Sequence, residues 1–175
     1  MVRIARSRIS RLALVLVSAC LFGTAPHQRA ETVELIFLDV GQGDAVVVRS
    51  PEGKVALIDA GPGADVVGLL RSNGIDSITI AIASHPHVDH IGGMQRVLTS
   101  MPVRYYMDSG VPHTTSTYVN LMRTLQASDI VYLEATARTI GLGSVELTVL
   151  PPPPPGDLNN TSVGIVVRYG ELGRC

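Results

Sequence analysis

The chain has 175 residues, 46% of them apolar, with 17 glycines, few aromatics, five histidines and two cysteines. That length supports one domain with a sizeable core, and the composition points to an Ala/Val/Ile-rich α/β fold with many tight turns. Formal net charge is −1, but residues 1–30 hold five arginines and no acid, which leaves 9 basic against 15 acidic residues, −6, for the remainder. An acidic domain offers no electrostatic reason for tight non-specific nucleic-acid binding, although bound cations would reverse the local sign.

The N-terminus reads as a targeting segment. Arg3, Arg6, Arg8 and Arg11 precede an apolar run over 12–22, the pattern of a secretory signal peptide and short for a membrane span. Cleavage after Ala25 fits, with Gly23 and Ala25 as the small residues. Two alternatives stand beside it: a lipoprotein leader, because Val17-Ser18-Ala19-Cys20 resembles a lipobox, and an uncleaved anchor. Each version exports the domain over 31–175 to a periplasmic or extracellular location, lipid-anchored in the second case through Cys20. No transmembrane span is expected in the mature chain. The other cysteine is Cys175, so disulfides are expected to play no part in stability.

Residues 33–38, 45–49 and 55–58 read as three strands of a β-meander, with a hairpin turn over 51–54. Asp39 and Asp44 flank the Gly41-Gln42-Gly43 turn, where backbone capping is enough to explain both. Asp59 ends the third strand. Residues 64–73 read as a helix with Val66, Leu69 and Leu70 on one face and Asn73-Gly74 as its stop. Residues 78–84, apolar and β-branched, read as a fully buried strand. A strand–helix–strand order argues for a crossover that packs one face of the sheet.

That buried strand runs into Ser84-His85-Pro86-His87-Val88-Asp89-His90-Ile91-Gly92-Gly93, which holds three of the five histidines. Open α/β sheets hold their ligands at such strand ends. Pro86 biases His85 towards extended geometry, so His85 and His87 should point the same way and grip one metal ion. Asp89 follows on the same parity. His90 should turn away where the loop bends at Gly92-Gly93, an arrangement that suits a second metal near the first. Imidazole and carboxylate ligands favour zinc, with manganese or iron as alternatives. Three histidines and an aspartate crowded at a strand end are hard to explain as packing.

Beyond the cluster, a helix is expected over 94–99, a strand over 103–107 and a loop over 108–113 that borders the cleft. His113 lies in that loop and reads as an exposed histidine rather than a ligand. Tyr118, Leu121, Met122 and Leu125 make an amphipathic helix with Ser116 or Thr117 as N-cap. Strands follow over 130–133 and 144–150, with Gly141-Leu142-Gly143 as a turn. Five prolines, 151–155, read as a rigid loop between two strands. Asn160 lines the cleft in this reading, ahead of a last strand over 163–167.

His85-Pro86-His87-Val88-Asp89-His90 resembles the HxHxDH signature of the metallo-β-lactamase superfamily. With Leu38-Asp39-Val40-Gly41-Gln42-Gly43-Asp44-Ala45 and Leu57-Ile58-Asp59-Ala60-Gly61, the pattern resembles the soluble hydrolase domain of ComEC-like competence proteins, from about Glu34 to Gly170. The resemblance implies an αββα sandwich, of which this chain carries the first half and the start of the second. It implies a binuclear centre, expected as two Zn2+ per complete domain. His85 and His87 hold one metal, Asp89 and His90 the other, and Asp89 also takes part in proton transfer. Asp59 is implied to lie beneath the metals and orient the histidine-rich loop. The family also calls for a later histidine, a bridging aspartate in a Gly-Asp turn and a final histidine. The sequence stops at Cys175 before any of these, so a C-terminally incomplete domain is expected.

The functional expectation is an exported metal-dependent hydrolase. Its substrate would be a phosphodiester, DNA by analogy, or a small molecule such as a β-lactam or lactone. The alternative is a truncated, non-catalytic metal-binding or interaction domain.

Overall fold

A computed structural model describes residues 32–63, 65–150 and 161–170. The expected leader, Cys20, the proline run, Asn160 and Cys175 lie outside the described residues. Six strands form one sheet in sequence order: β1 (Glu34–Phe37), β2 (Val46–Arg49), β3 (Val55–Ile58), β4 (Ile78–Ile82), β5 (Val103–Asp108) and β6 (Val131–Glu134). The first three pair antiparallel as the expected meander, and β3 to β6 pair parallel. A second, antiparallel sheet contains β7 (Arg138–Leu142), β8 (Val145–Leu150) and β9 (Gly164–Tyr169).

Register sorts the side chains into two cores. The row Ile36, Val47, Leu57, Ala81, Tyr106 runs straight across the large sheet and faces the helices. The next row, with Val48, Ala56 and Ile80, faces the second sheet. Strand β4 therefore buries both faces, which is why its sequence is apolar but for Thr79, whose hydroxyl accepts Val55 N–H. Each fully buried Leu or Ile in these rows contributes about 1.5–3 kcal/mol of transfer free energy. On β1, Leu35 and Phe37 share the second-core face and remain exposed.

Four helices provide the crossovers: α1 (Val66–Ser72), α2 (Val88–Ile91), α3 (Met94–Ser100) and α4 (Ser116–Gln126). Their buried residues all join the first core, so the helices lie on one side of the large sheet, as right-handed parallel crossovers require. The described residues thus stack as helices, sheet, sheet: the expected mixed α/β sandwich, three layers of it. Among them no helix is long and apolar enough to cross a membrane.

Several local expectations need correction. Helix α1 starts at Val66 because the Asp65 carboxylate caps it, accepting from Gly68 N–H at 3.0 Å. The cap of α4 is Thr115, not Ser116 or Thr117; its Oγ1 accepts from Tyr118 N–H. Gly141 and Leu142 belong to strand β7, and the turn is Gly143-Ser144, with Leu142 fully buried opposite Val145. The glycine in Arg138-Thr139-Ile140-Gly141-Leu142 hides the strand from a pattern reading, and burial of Leu142 decides it.

Candidate metal centre

The site lies at the C-terminal ends of β3, β4 and β5, where three loops meet. Backbone hydrogen bonds lock the β1–β2 turn and the loop after β3 to helix α2, its flanks and each other: Asp44 N–H to Asp89 O (3.3 Å), Ala60 N–H to His90 O (2.7 Å), Gly61 N–H to Asp44 O (2.9 Å) and Gly93 N–H to Gly61 O (3.1 Å). Such close approach explains two glycines. A Cβ on Gly43, whose φ is +102°, would stand 2.0 Å from Asp89 O; one on Gly93 would stand 2.3 Å from Ala60 O. The glycines of the Gly-Gln-Gly and Gly-Gly segments are thus where loops touch, not only where the chain turns.

Asp59 is the anchor of the site. It is 3% exposed and is the one non-glycine among the described residues with positive φ, at 59°. An aspartate tolerates this left-handed conformation at a cost of about 1–3 kcal/mol, which the surrounding structure must hold in place. Its Oδ1 accepts Ser84 N–H at 2.7 Å, and its Oδ2 lies 2.7 Å from Ser84 Oγ and 2.8 Å from His90 Nδ1. Ser84 Oγ is in turn 3.0 Å from His85 Nδ1.

These contacts fix the proton positions. A carboxylate only accepts, so Ser84 O–H and His90 Nδ1–H both donate to Asp59. With its hydrogen spent, Ser84 Oγ accepts from His85 Nδ1–H. Both imidazoles therefore carry a hydrogen on Nδ1, so in their neutral forms Nε2 is the free lone pair, the tautomer a metal ligand needs. Burial, followed by the neighbouring His90, pushes the His85 pKa down and favours its neutral form. The hydrogen bond to Asp59 pushes His90 up, although burial opposes it.

The rings of His85 and His87 lie 4.8 Å apart, on one side as the spacing predicts. His90 departs from expectation. Its ring does not turn away but sits 4.0 Å from that of His85. The reason is helix α2: the chain is helical from Val88, with His87 as N-cap, so His90 is carried back under the cluster before the glycines are reached. Asp89 Oδ2 lies 3.9 Å from His90 Nε2. Two donors on one ion at about 2.0–2.2 Å stand roughly 3.3–3.6 Å apart, so this pair fits a common cation with little movement.

Sequence reasoning passed over two residues here. Asp44 does not cap the backbone through its side chain: its Oδ2 points to His90 Nδ1 at 3.7 Å, whereas Asp39 Oδ1 does accept from Gly41 N–H. Ser84 is the hydroxyl that couples Asp59 to His85, and its position directly before the first histidine was the available signal. Donor atoms of Asp44, Asp59 and His90 lie within 4.8 Å of one another, a spread that also suits a cation. That grouping would use His90 Nδ1 and Asp59 oxygens already committed to hydrogen bonds, whereas His90 Nε2 and Asp89 Oδ2 are not so committed. His113 borders the cluster, with its ring 6.5 Å from that of His87.

The metallo-β-lactamase superfamily model matches residues 38–174. No curated protein matches the chain. Among solved structures, the chain is similar to the Rm3 metallo-β-lactamase: 16% identity, 79% of this chain and 55% of that one, TM-score 0.54. It is also similar to a metallo-β-lactamase from Staphylococcus aureus, at 18% identity, 78% and 38% coverage and TM-score 0.54. A third is the chemotaxis sensor ODP, solved as a peroxy diiron species, at 17% identity, 76% and 54% coverage and TM-score 0.54. The chain spans about half the length of the first and third of these structures and less of the second.

Proposed function

Because the chain belongs to the metallo-β-lactamase superfamily, we propose that it is a metal-dependent hydrolase of the ComEC-like kind, exported behind the segment over 1–30. In this reading His85 and His87 hold one metal, and Asp89 and His90 a second. Asp59 and Ser84 orient the ligands without joining them. The observation that carries it is the Asp59–Ser84 hydrogen-bond relay, which engages Nδ1 of both His85 and His90 and leaves Nε2 of each as the atom for a metal.

Bound zinc, manganese or iron would supply Lewis acidity and bring the pKa of water towards neutrality. The chain's own residues do the rest. Asp59 keeps both imidazoles in one tautomer and one orientation. Asp89, one-third exposed at its side chain, reaches the solvent side of the site, where it can take a proton from attacking water. The substrate we favour is a phosphodiester. The charge balance argues for a short or small one rather than duplex DNA held by a basic surface.

The test uses the purified chain: elemental analysis, then hydrolysis of bis(p-nitrophenyl) phosphate. The expected result is bound metal, turnover lost on chelation and regained with zinc or manganese, and no turnover in His87→Ala. Hydrolysis that survives both chelation and the substitution overturns the proposal. The second reading is a domain that binds metal without catalysis. Bound metal with no turnover supports that reading.

A further inference from the structure

The loop after β5 brings a fourth histidine to the rim of the site, and its geometry gives that residue a different task. This inference rests on the metal-centre reading above. Two imidazoles sharing one ion at about 2.0–2.1 Å and a tetrahedral angle bring their ring centres to roughly 5 Å. His85 and His87 satisfy this at 4.8 Å, whereas His87 and His113, at 6.5 Å, do not.

The loop is not free to close the difference, because it is fastened at both ends. At its root, Asp108 is 4% exposed and accepts from Tyr132 O–H at 2.6 Å and Gly110 N–H at 2.8 Å. At its far end, Thr115 is the N-cap of α4 and its Oγ1 lies 3.0 Å from His113 Nδ1. Thr115 Oγ1 accepts Tyr118 N–H, and its one hydroxyl hydrogen can be donated to His113 Nδ1, the arrangement this inference takes. The ring's own hydrogen then sits on Nε2. The Tyr118 ring stands edge-on to the imidazole, 6.5 Å between ring centres.

The geometry points to His113 as a substrate-contacting residue: held one ligand layer out from the metals, it donates a hydrogen bond from Nε2 to an anionic oxygen of the substrate. The substrate class this selects carries a non-bridging phosphoryl oxygen or an equivalent oxyanion beside the bond that is cut. No bond to His113 forms or breaks.

The experiment loads the full chain with cobalt(II), measures cobalt per chain by elemental analysis, and titrates inorganic phosphate against the visible d–d absorption. Expected for His113→Ala is unchanged cobalt stoichiometry with phosphate binding weakened about tenfold, the size of a hydrogen bond to a charged group. His113→Gln, which keeps an N–H donor, should recover most of the affinity. A fall in cobalt per chain would make His113 a ligand and overturn the inference. Unchanged phosphate affinity in both variants would make it a bystander, while the metal-centre reading would stand. A wild-type chain that takes up no cobalt would bring down both.

Discussion

Two loops border the candidate site, and they are held by different means. The segment from His85 to Gly93 is fixed by backbone hydrogen bonds and by contacts so close that only glycine fits opposite them. The segment from Ser109 to Thr115 is fixed through side chains, chiefly the buried Asp108 carboxylate and the Thr115 cap. The first arrangement writes itself into the sequence as a run of obligatory glycines and histidines. The second leaves little trace, because an Asp-Ser-Gly turn before a helix looks the same whether or not a tyrosine from the next strand closes on it.

The comparison can be broken most severely at Asp59. Asp59→Asn keeps the shape but turns an N–H2 towards groups that donate, so we expect a loss of about 3 kcal/mol, read as a lower urea midpoint. We expect metal affinity to fall about 10- to 100-fold as well, since the imidazoles lose their orienting partner; elemental analysis after dialysis checks it. Full metal retention would show that Asp59 does not orient them. Next is Gly43→Ala. Its φ of +102° and the collision with Asp89 O predict a cost of about 2–3 kcal/mol. An unchanged melting temperature would mean that the 38–45 turn is not locked to α2.

Asp108→Asn tests the other loop, with about 1–2 kcal/mol expected and metal content unchanged. It also has a spectroscopic signature. Burial, aided by the hydrogen bond to Asp108, pushes the Tyr132 phenol above its ordinary range, and burial with Asp108 nearby pushes Tyr106 up well beyond it. Both groups hold their protons more tightly folded than unfolded. The stability they contribute is therefore complete below the ordinary phenol range near 10 and declines as pH rises through the folded values. Absorbance titration of Asp108→Asn should show Tyr132 ionising at lower pH than in the wild type. The smallest effect is expected at Glu52, whose half-exposed side chain has its carboxylate held at about 2, first by Ser144 N–H. Glu52→Gln should lower the urea midpoint only slightly at neutral pH, and the difference should fade as pH falls below the ordinary carboxylate range. In the wild type its carboxyl NMR signal should titrate near that value.

Much of the fold was legible because its cause is local. The meander, the buried β4 and the stripe of α4 follow from runs of apolar residues with period two, no period, or period near 3.6. The second sheet was harder. The apolar pattern of strand β7 is interrupted by Gly141, and its pairing with β8 and the burial of Leu142 make it a strand. In the site, the grouping of His85 with His87 followed from alternation, but the return of His90 did not. A four-residue helix carries no periodic signature of its own.

By itself, the sequence determined the mixed α/β class, the order of the strands that carry the site, and the family, because each depends on residue type and spacing along one stretch of chain. Tertiary structure alone decided the roles of Ser84, Asp44 and Asp108 and the place of His113. Each of these depends on a partner supplied by another element or loop: Asp59 for Ser84, His90 for Asp44, Tyr132 for Asp108 and His87 for His113. Short polar side chains owe their function to what stands opposite them, and which strand ends the sheet brings together is set by burial of the two apolar cores.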